Sequence, residues 1–128
     1  MGNVSLIEIV FDTTKTDIET IMLPWRADSL RYVWSKGGDV VTTRDLWEHI
    51  YPLHKISRAS INQFLKRMNN AGVLDNKPQT GKGGIHGRYS TKLDEEDFKG
   101  EVARTVLNKL LELSPKDVRQ FIAKCALA

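Results

Sequence analysis

Between Ser57 and Asn70 the chain reads SRASINQFLKRMNN, and its polar residues fall into a narrow chemical set. Arg58, Ser60, Asn62, Gln63, Lys66 and Arg67 supply cations, hydroxyls and amides at helical spacing, without one carboxylate among them. Amides and guanidinium groups form paired hydrogen bonds with base edges, Asn or Gln with adenine and Arg with guanine. A hydroxyl in a helix's first turn, beside the free backbone N–H groups there, suits a phosphate oxygen. Duplex DNA carries one negative charge per ~1.7 Å of its axis, so a carboxylate on such a face would be repelled. The chemistry on offer is recognition of a polyanion.

The charge distribution agrees. From His54 to Lys92 there are eight basic residues and a single acid, Asp75, whereas the rest of the chain is net acidic. That asymmetry is the electrostatic footprint of a nucleic-acid-binding unit. The 41% hydrophobic and 27% charged content belongs to an ordinary globular protein. The 128 residues suffice for one domain with a small appendage. Cys125 is alone, which rules out an internal disulfide and any multi-cysteine zinc site. His49, His54 and His86 lack metal-ligand spacing, so neither metal nor cofactor is expected. With no apolar run long enough for a membrane and no leader-like start, the cytoplasm is the expected compartment.

The elements that must carry this face follow along the chain. VSLIEIVF (Val4 to Phe11) reads as a strand and TTKTDIETIMLP as a short helix ending before Pro24, together an N-terminal arm over residues 1–23 that could pack on a partner chain. Leu30, Val33 and Trp34 mark a first full helix, stopped by Lys36-Gly37-Gly38. DVVTT offers a bridging strand. Thr42, three residues before Asp45, starts a second helix with Leu46, Trp47 and Ile50 inward, and Pro52 is expected to close it. Ser57 caps the third helix, whose buried stripe is Ile61, Phe64, Leu65 and Met68, and Ala71-Gly72 ends it. VLDNK and RYSTKL are strands flanking PQTGKGGIHG, a loop with four glycines. Trp25, Trp34 and Trp47 read as core.

Three helices, a strand, a glycine-rich loop and a strand describe a winged helix-turn-helix over residues 24–93, in a mainly α, α+β fold. Its expected DNA contacts are Thr42, Thr43 and Arg44 at the second helix, and Ser57, Arg58, Ser60, Asn62, Gln63, Lys66 and Arg67 at the third. Lys82, His86 and Arg88 join them on the loop, which can lie along the backbone or enter a minor groove.

Residues 94–128 form a separate helical region. Phe98, Val102, Val106, Leu110 and Leu113 trace one apolar stripe, and Ser114-Pro115 restarts a helix with Val118, Phe121, Ile122 and Cys125 inward. Cys125 is expected to be a small buried hydrophobe. Such stripes either fold back on the domain or pack on a second copy. A symmetric homodimer is the expectation, since soluble monomers avoid large exposed apolar patches.

SINQFLKRMNNAGVL followed by GRYSTKL resembles the third helix and wing of the penicillinase-repressor family, through Ser60, Ile61, Leu65, Arg67, Gly72 and Leu74, with Phe64 and Met68 as apolar variants. TTRDLWEHI is similar to that family's second helix. The pattern is shared with other winged-helix regulators, including relatives of the multiple-antibiotic-resistance repressor. The resemblance covers about Trp25 to Leu93 and implies a homodimeric repressor that binds an inverted-repeat operator in double-stranded DNA. It gives no counterpart for the first twenty-odd residues, and the cysteine pairs of the family's copper-responsive members are missing. The competing reading is a winged-helix protein-interaction module within a larger assembly. An enzyme acting on nucleic acid is disfavoured, because no paired-carboxylate, Ser-His or phosphate-loop constellation is present.

Overall fold

The computed structural model describes residues 8–82 and 84–127. Its helices are α1 (Pro24–Ser35), α2 (Thr43–His54), α3 (Arg58–Asn70), α4 (Glu95–Leu113) and α5 (Pro115–Leu127), with strands β1 (Val41–Thr42), β2 (Leu74–Asn76), β3 (Gln79–Gly81), β4 (Gly84–His86) and β5 (Arg88–Thr91). Helices α1 to α3 with the antiparallel sheet β1-β5-β2 make a winged helix.

Local chemistry sets the boundaries of the two helices that matter most. Thr42 accepts from the Asp45 backbone N–H at 3.1 Å, and the Asp45 carboxylate accepts from the Thr42 N–H at 3.1 Å, a reciprocal capping box. Ser57 accepts from the Ser60 N–H at 3.2 Å and opens α3, while Gly72 at φ +78° ends it where a side chain would be strained. Pro52 does not close α2. The helix runs through it to His54, and Lys55, left-handed at φ +56°, makes the turn into α3.

Ile61, Phe64, Leu65 and Met68 of α3 are all buried among Leu30, Val33, Leu46, Ile50 and Leu74. Burying each such side chain is worth about 1.5–3 kcal/mol, so four of them oppose any rotation of α3 about its axis. The three tryptophans sit half-buried at the edge of this core, where Trp34 and Trp47 donate their indole N–H groups to the backbone oxygens of Leu93 and Ile56.

The described residues of the glycine-rich loop form two short strands. Strands β3 and β4 continue the register of β2 and β5, with Asn76 opposite Tyr89, Gln79 opposite His86 and Gly81 opposite Gly84. Pro78, which has no N–H to donate, stands across from Gly87 where the ladder breaks. The wing is therefore one hairpin with an interrupted ladder and Lys82 at its tip.

The terminal segments depart from the sequence reading. Residues 4–7 of the expected strand lie outside the described residues, and residues 8–12 form no strand. The Val10 and Asp12 N–H groups do bond to the Ile21 and Thr20 oxygens. The short helix is a 3-10 turn at Asp17–Thr20. This arm folds on its own chain: Ile18, Ile21 and Met22 are buried, Arg31 pairs with Asp17 and Glu19, and Lys99 of α4 reaches Asp17 at 2.7 Å. That lysine holds the Asp17 carboxyl below its ordinary value of 3.8, and Asp17 in turn raises Lys99.

Phe98 and Val102, read as part of a face for a second copy, are buried in the chain's own core, with Phe98 5.7 Å from the Trp34 ring. The open stripe begins beyond them at half-buried Val106 and runs through Leu110 to Leu113, which is 81% exposed. Helix α5 does not fold back on the winged helix. None of its described side chains is buried; Val118 is half-buried, Phe121 is 65% exposed, Ile122 is exposed, and so is Cys125, against expectation.

Candidate nucleic-acid interface

Three hollows surround the outer face of α3. The first, a cleft of about 620 Å³, lies between the start of α2, the start of α3 and the wing. Thr42, Thr43, Arg44, Arg58, Asn62 and His86 line it together, although they come from three separate stretches of chain. Thr43 donates its hydroxyl to the Asn62 side-chain oxygen at 3.2 Å and ties α2 to α3, leaving the Asn62 amide N–H groups to donate outward. The Arg58 guanidinium lies 5.5 Å from the centre of the Trp47 ring. Arg44 pairs with Glu48 at 2.9 Å, but both are exposed, and such pairs contribute little and open readily.

The second hollow, about 520 Å³, is lined by Gln63, Lys66, Arg67 and Asn70. These residues repeat at the interval of a helix face, are exposed, and bring two cations without an acid. The third, about 80 Å³, lies between α3 and the first turn of α1, bordered by Trp25, Arg26, Ser60, Gln63, Phe64 and Arg67.

Other expected contacts sit apart from these hollows. Ser57 spends its hydroxyl on the α3 cap and on Ser60. Arg88 is bound to the base of the wing, donating its backbone N–H to Asn76 at 3.1 Å and a guanidinium N–H to Gln79 at 2.8 Å. Lys82 is exposed at the wing tip, where its carbonyl meets the His86 ring nitrogen at 2.7 Å. That contact turns His86 back across the hairpin.

Arg26 is the residue that sequence reasoning missed. It stands outside the basic segment, next to a tryptophan that reads as core, and only the packing of α1 against α3 brings it to this face. Asn69, an amide in the same acid-free stretch, instead donates to the Leu74 carbonyl at 2.9 Å and closes the end of α3.

The remaining histidines are held in ordinary contacts. His49 stacks on Tyr32 with ring centres 4.4 Å apart, and His54 meets the Asp28 carboxylate at 2.7 Å. Among the described residues no group of three His, Cys, Asp or Glu side chains could hold a metal ion, and no helix is long and apolar enough to cross a membrane. A protein-family model described as penicillinase repressor matches residues 27–128. No curated protein matches the chain.

Proposed function

This chain belongs to the penicillinase repressor family, and we propose that it represses transcription by docking α3 in the major groove of a specific duplex, with the β3–β4 wing along the adjoining backbone. The family is one of DNA-binding transcriptional regulators, which is not an enzyme class. The observation that carries the docking mode is the first cleft. It gathers hydroxyls, an amide and two arginines from the start of α2 and from α3, with a histidine from the wing, around the acid-free face of a helix whose other side is locked in the core. A groove about 12 Å wide admits such a helix.

In this reading the partners are double-stranded DNA and a second copy of the chain, and the compartment is the cytoplasm. The exposed apolar side chains of α4 and α5 support a symmetric dimer, since Leu113, Phe121 and Ile122 stay exposed among the described residues. Two α3 helices about 34 Å apart would then meet successive turns of an inverted repeat.

Selection of bound sequences from a random duplex pool, followed by anisotropy titration across a range of salt, tests the whole. The expected result is a palindrome whose affinity falls steeply as salt rises and is weakened by Lys66→Ala and Arg67→Ala. A pool that shows no enrichment, with affinity indifferent to salt, would leave the protein-interaction reading in its place.

A further inference from the structure

At about 100° per residue, the side chains of α3 sort around its axis. Ile61, Phe64, Leu65 and Met68 fill one arc and are buried. On the open arc, Arg58 and Asn62 stand at one edge, Ala59, Gln63, Lys66 and Asn70 in the middle, and Arg67 and Ser60 at the far edge. The first edge faces the cleft with Thr42, Thr43, Arg44 and His86, and the far edge faces Trp25 and Arg26.

The two edges share a device. Arg58 lies over the Trp47 ring, and Arg26 lies over the Trp25 ring with its guanidinium 5.3 Å from the ring centre. Trp25 is itself set edge-on against buried Phe64, 5.4 Å between centres. A guanidinium laid on an indole keeps its N–H donors free at the rim of the plane and loses less freedom on binding than one on a loose stem. Arg26 also makes no ion pair among the described residues, and its Nε is buried without a hydrogen-bond partner. This holds even though Arg26 also lines a separate hollow of about 250 Å³ toward the N-terminal arm, together with Glu8, Asp12, Lys15 and Glu19.

We propose that Arg26 is a phosphate anchor, which with Ser60 and Arg67 grips one wall of the major groove while the Arg58 cleft grips the other. This rests on the DNA-docking reading above and refines it. The middle of the arc, Gln63 and Lys66 foremost, is left to read bases, and Arg67 acts on the backbone.

The test is binding of a fluorescent 24-base-pair duplex of mixed sequence, measured against salt for the wild type, Arg26→Gln, Arg26→Lys, Arg58→Gln and Arg67→Gln. Loss of one phosphate contact lowers the slope of log affinity against log salt by about 0.9 per chain and weakens binding about tenfold near 0.1 M salt. Arg26→Gln is expected to show both effects, and Arg26→Lys to keep the slope. If Arg26→Gln keeps the wild-type slope and affinity while Arg58→Gln and Arg67→Gln lose theirs, Arg26 lies off the DNA and the proposal fails with the docking reading intact. If the wild type shows no salt-dependent binding, the docking reading fails first. Should Arg26→Gln not fold, arginine-selective labelling of the wild type decides. Protection of Arg26 by the duplex supports the anchor, and labelling unchanged while Arg67 is protected overturns it.

Discussion

Gly87 offers the sharpest trial of the wing's geometry. It lines the first cleft and faces Pro78 at the break in the ladder. A Cβ built there would meet the Tyr89 ring at 2.6 and 2.8 Å and its hydroxyl oxygen at 2.8 Å. Real Cβ atoms do not approach so closely, so the ring or the strand must move. Tyr89 is 1% exposed on β5, the central strand of the sheet, and burial pushes its phenol's pKa up. Its ring has little room to retreat. Forcing a methyl into a filled site costs about 1–3 kcal/mol, against a total stability of about 5–15 kcal/mol. With a urea slope of about 1–3 kcal/mol per molar, Gly87→Ala should lower the urea midpoint by about 1 M. Gly38→Ala is the matched control, because its methyl would meet nothing within 4 Å, and its midpoint should hold or rise slightly. In a Tyr89→Leu background the cost of Gly87→Ala should largely disappear. A cost equal in both backgrounds would show that the ring is not what excludes the methyl, and the packing described for the wing would be wrong.

Three other outcomes follow from named contacts. Thr42→Ala removes one half of the capping box and should cost about 1 kcal/mol in urea unfolding, with Thr42→Ser restoring most of it. The Asp17 carboxyl is held below its ordinary value of 3.8 by Lys99, so its contribution is complete above that pH and is lost as pH falls through the lower, folded value. Protection of the Val10 and Asp12 amides against exchange, relative to the free-peptide rate at each pH, should therefore fall below about pH 4 in the wild type and already be low at neutral pH in Asp17→Asn, since their N–H groups bond to Ile21 and Thr20. If the exposed face of α4 and α5 pairs two copies, Ile122→Asp should convert a sedimenting dimer to monomer without altering helix content; an unchanged mass would count against that pairing.

Much of the architecture was legible because it is written in adjacent residues. The capping box of Thr42 and Asp45, the Ser57 cap, the Gly72 terminator and the buried stripe of α3 each depend on a few neighbours in sequence, and each stands where local chemistry puts it. The first cleft was legible in its membership but not in its grouping: Thr43, Asn62 and His86 each looked suitable alone, and only the fold shows Thr43 bonded to Asn62 beside the wing. Arg26 was invisible because its partners on α3 are some forty residues away, and sequence spacing carries no sign of that contact. Pro52 misled for the opposite reason: a strong local rule yielded to packing, as Leu46 and Ile50 are buried on the same face and hold the helix through one missing bond.

The C-terminal stripe shows where periodicity stops being informative. A repeat of apolar residues fixes which side of a helix turns away from water, but it does not say against what. In α4 one stripe meets two environments. Phe98 and Val102 close the core of the winged helix, with Trp34 bridging to Leu93 just before the helix begins, whereas Leu110 and Leu113 lie open some turns later. The change occurs beside the N-terminal arm, where Phe11, Ile18 and Ile21 face Val106, Leu107 and Leu110 across one apolar groove. A helix of 19 residues spans roughly 28 Å. One rigid element thus starts inside the unit that carries α3 and ends in the face available to a second copy. If that face pairs two copies, the length and tilt of α4 set the separation of their recognition helices. The spacing of an operator's half-sites would then be a property of this helix, as much as of α3.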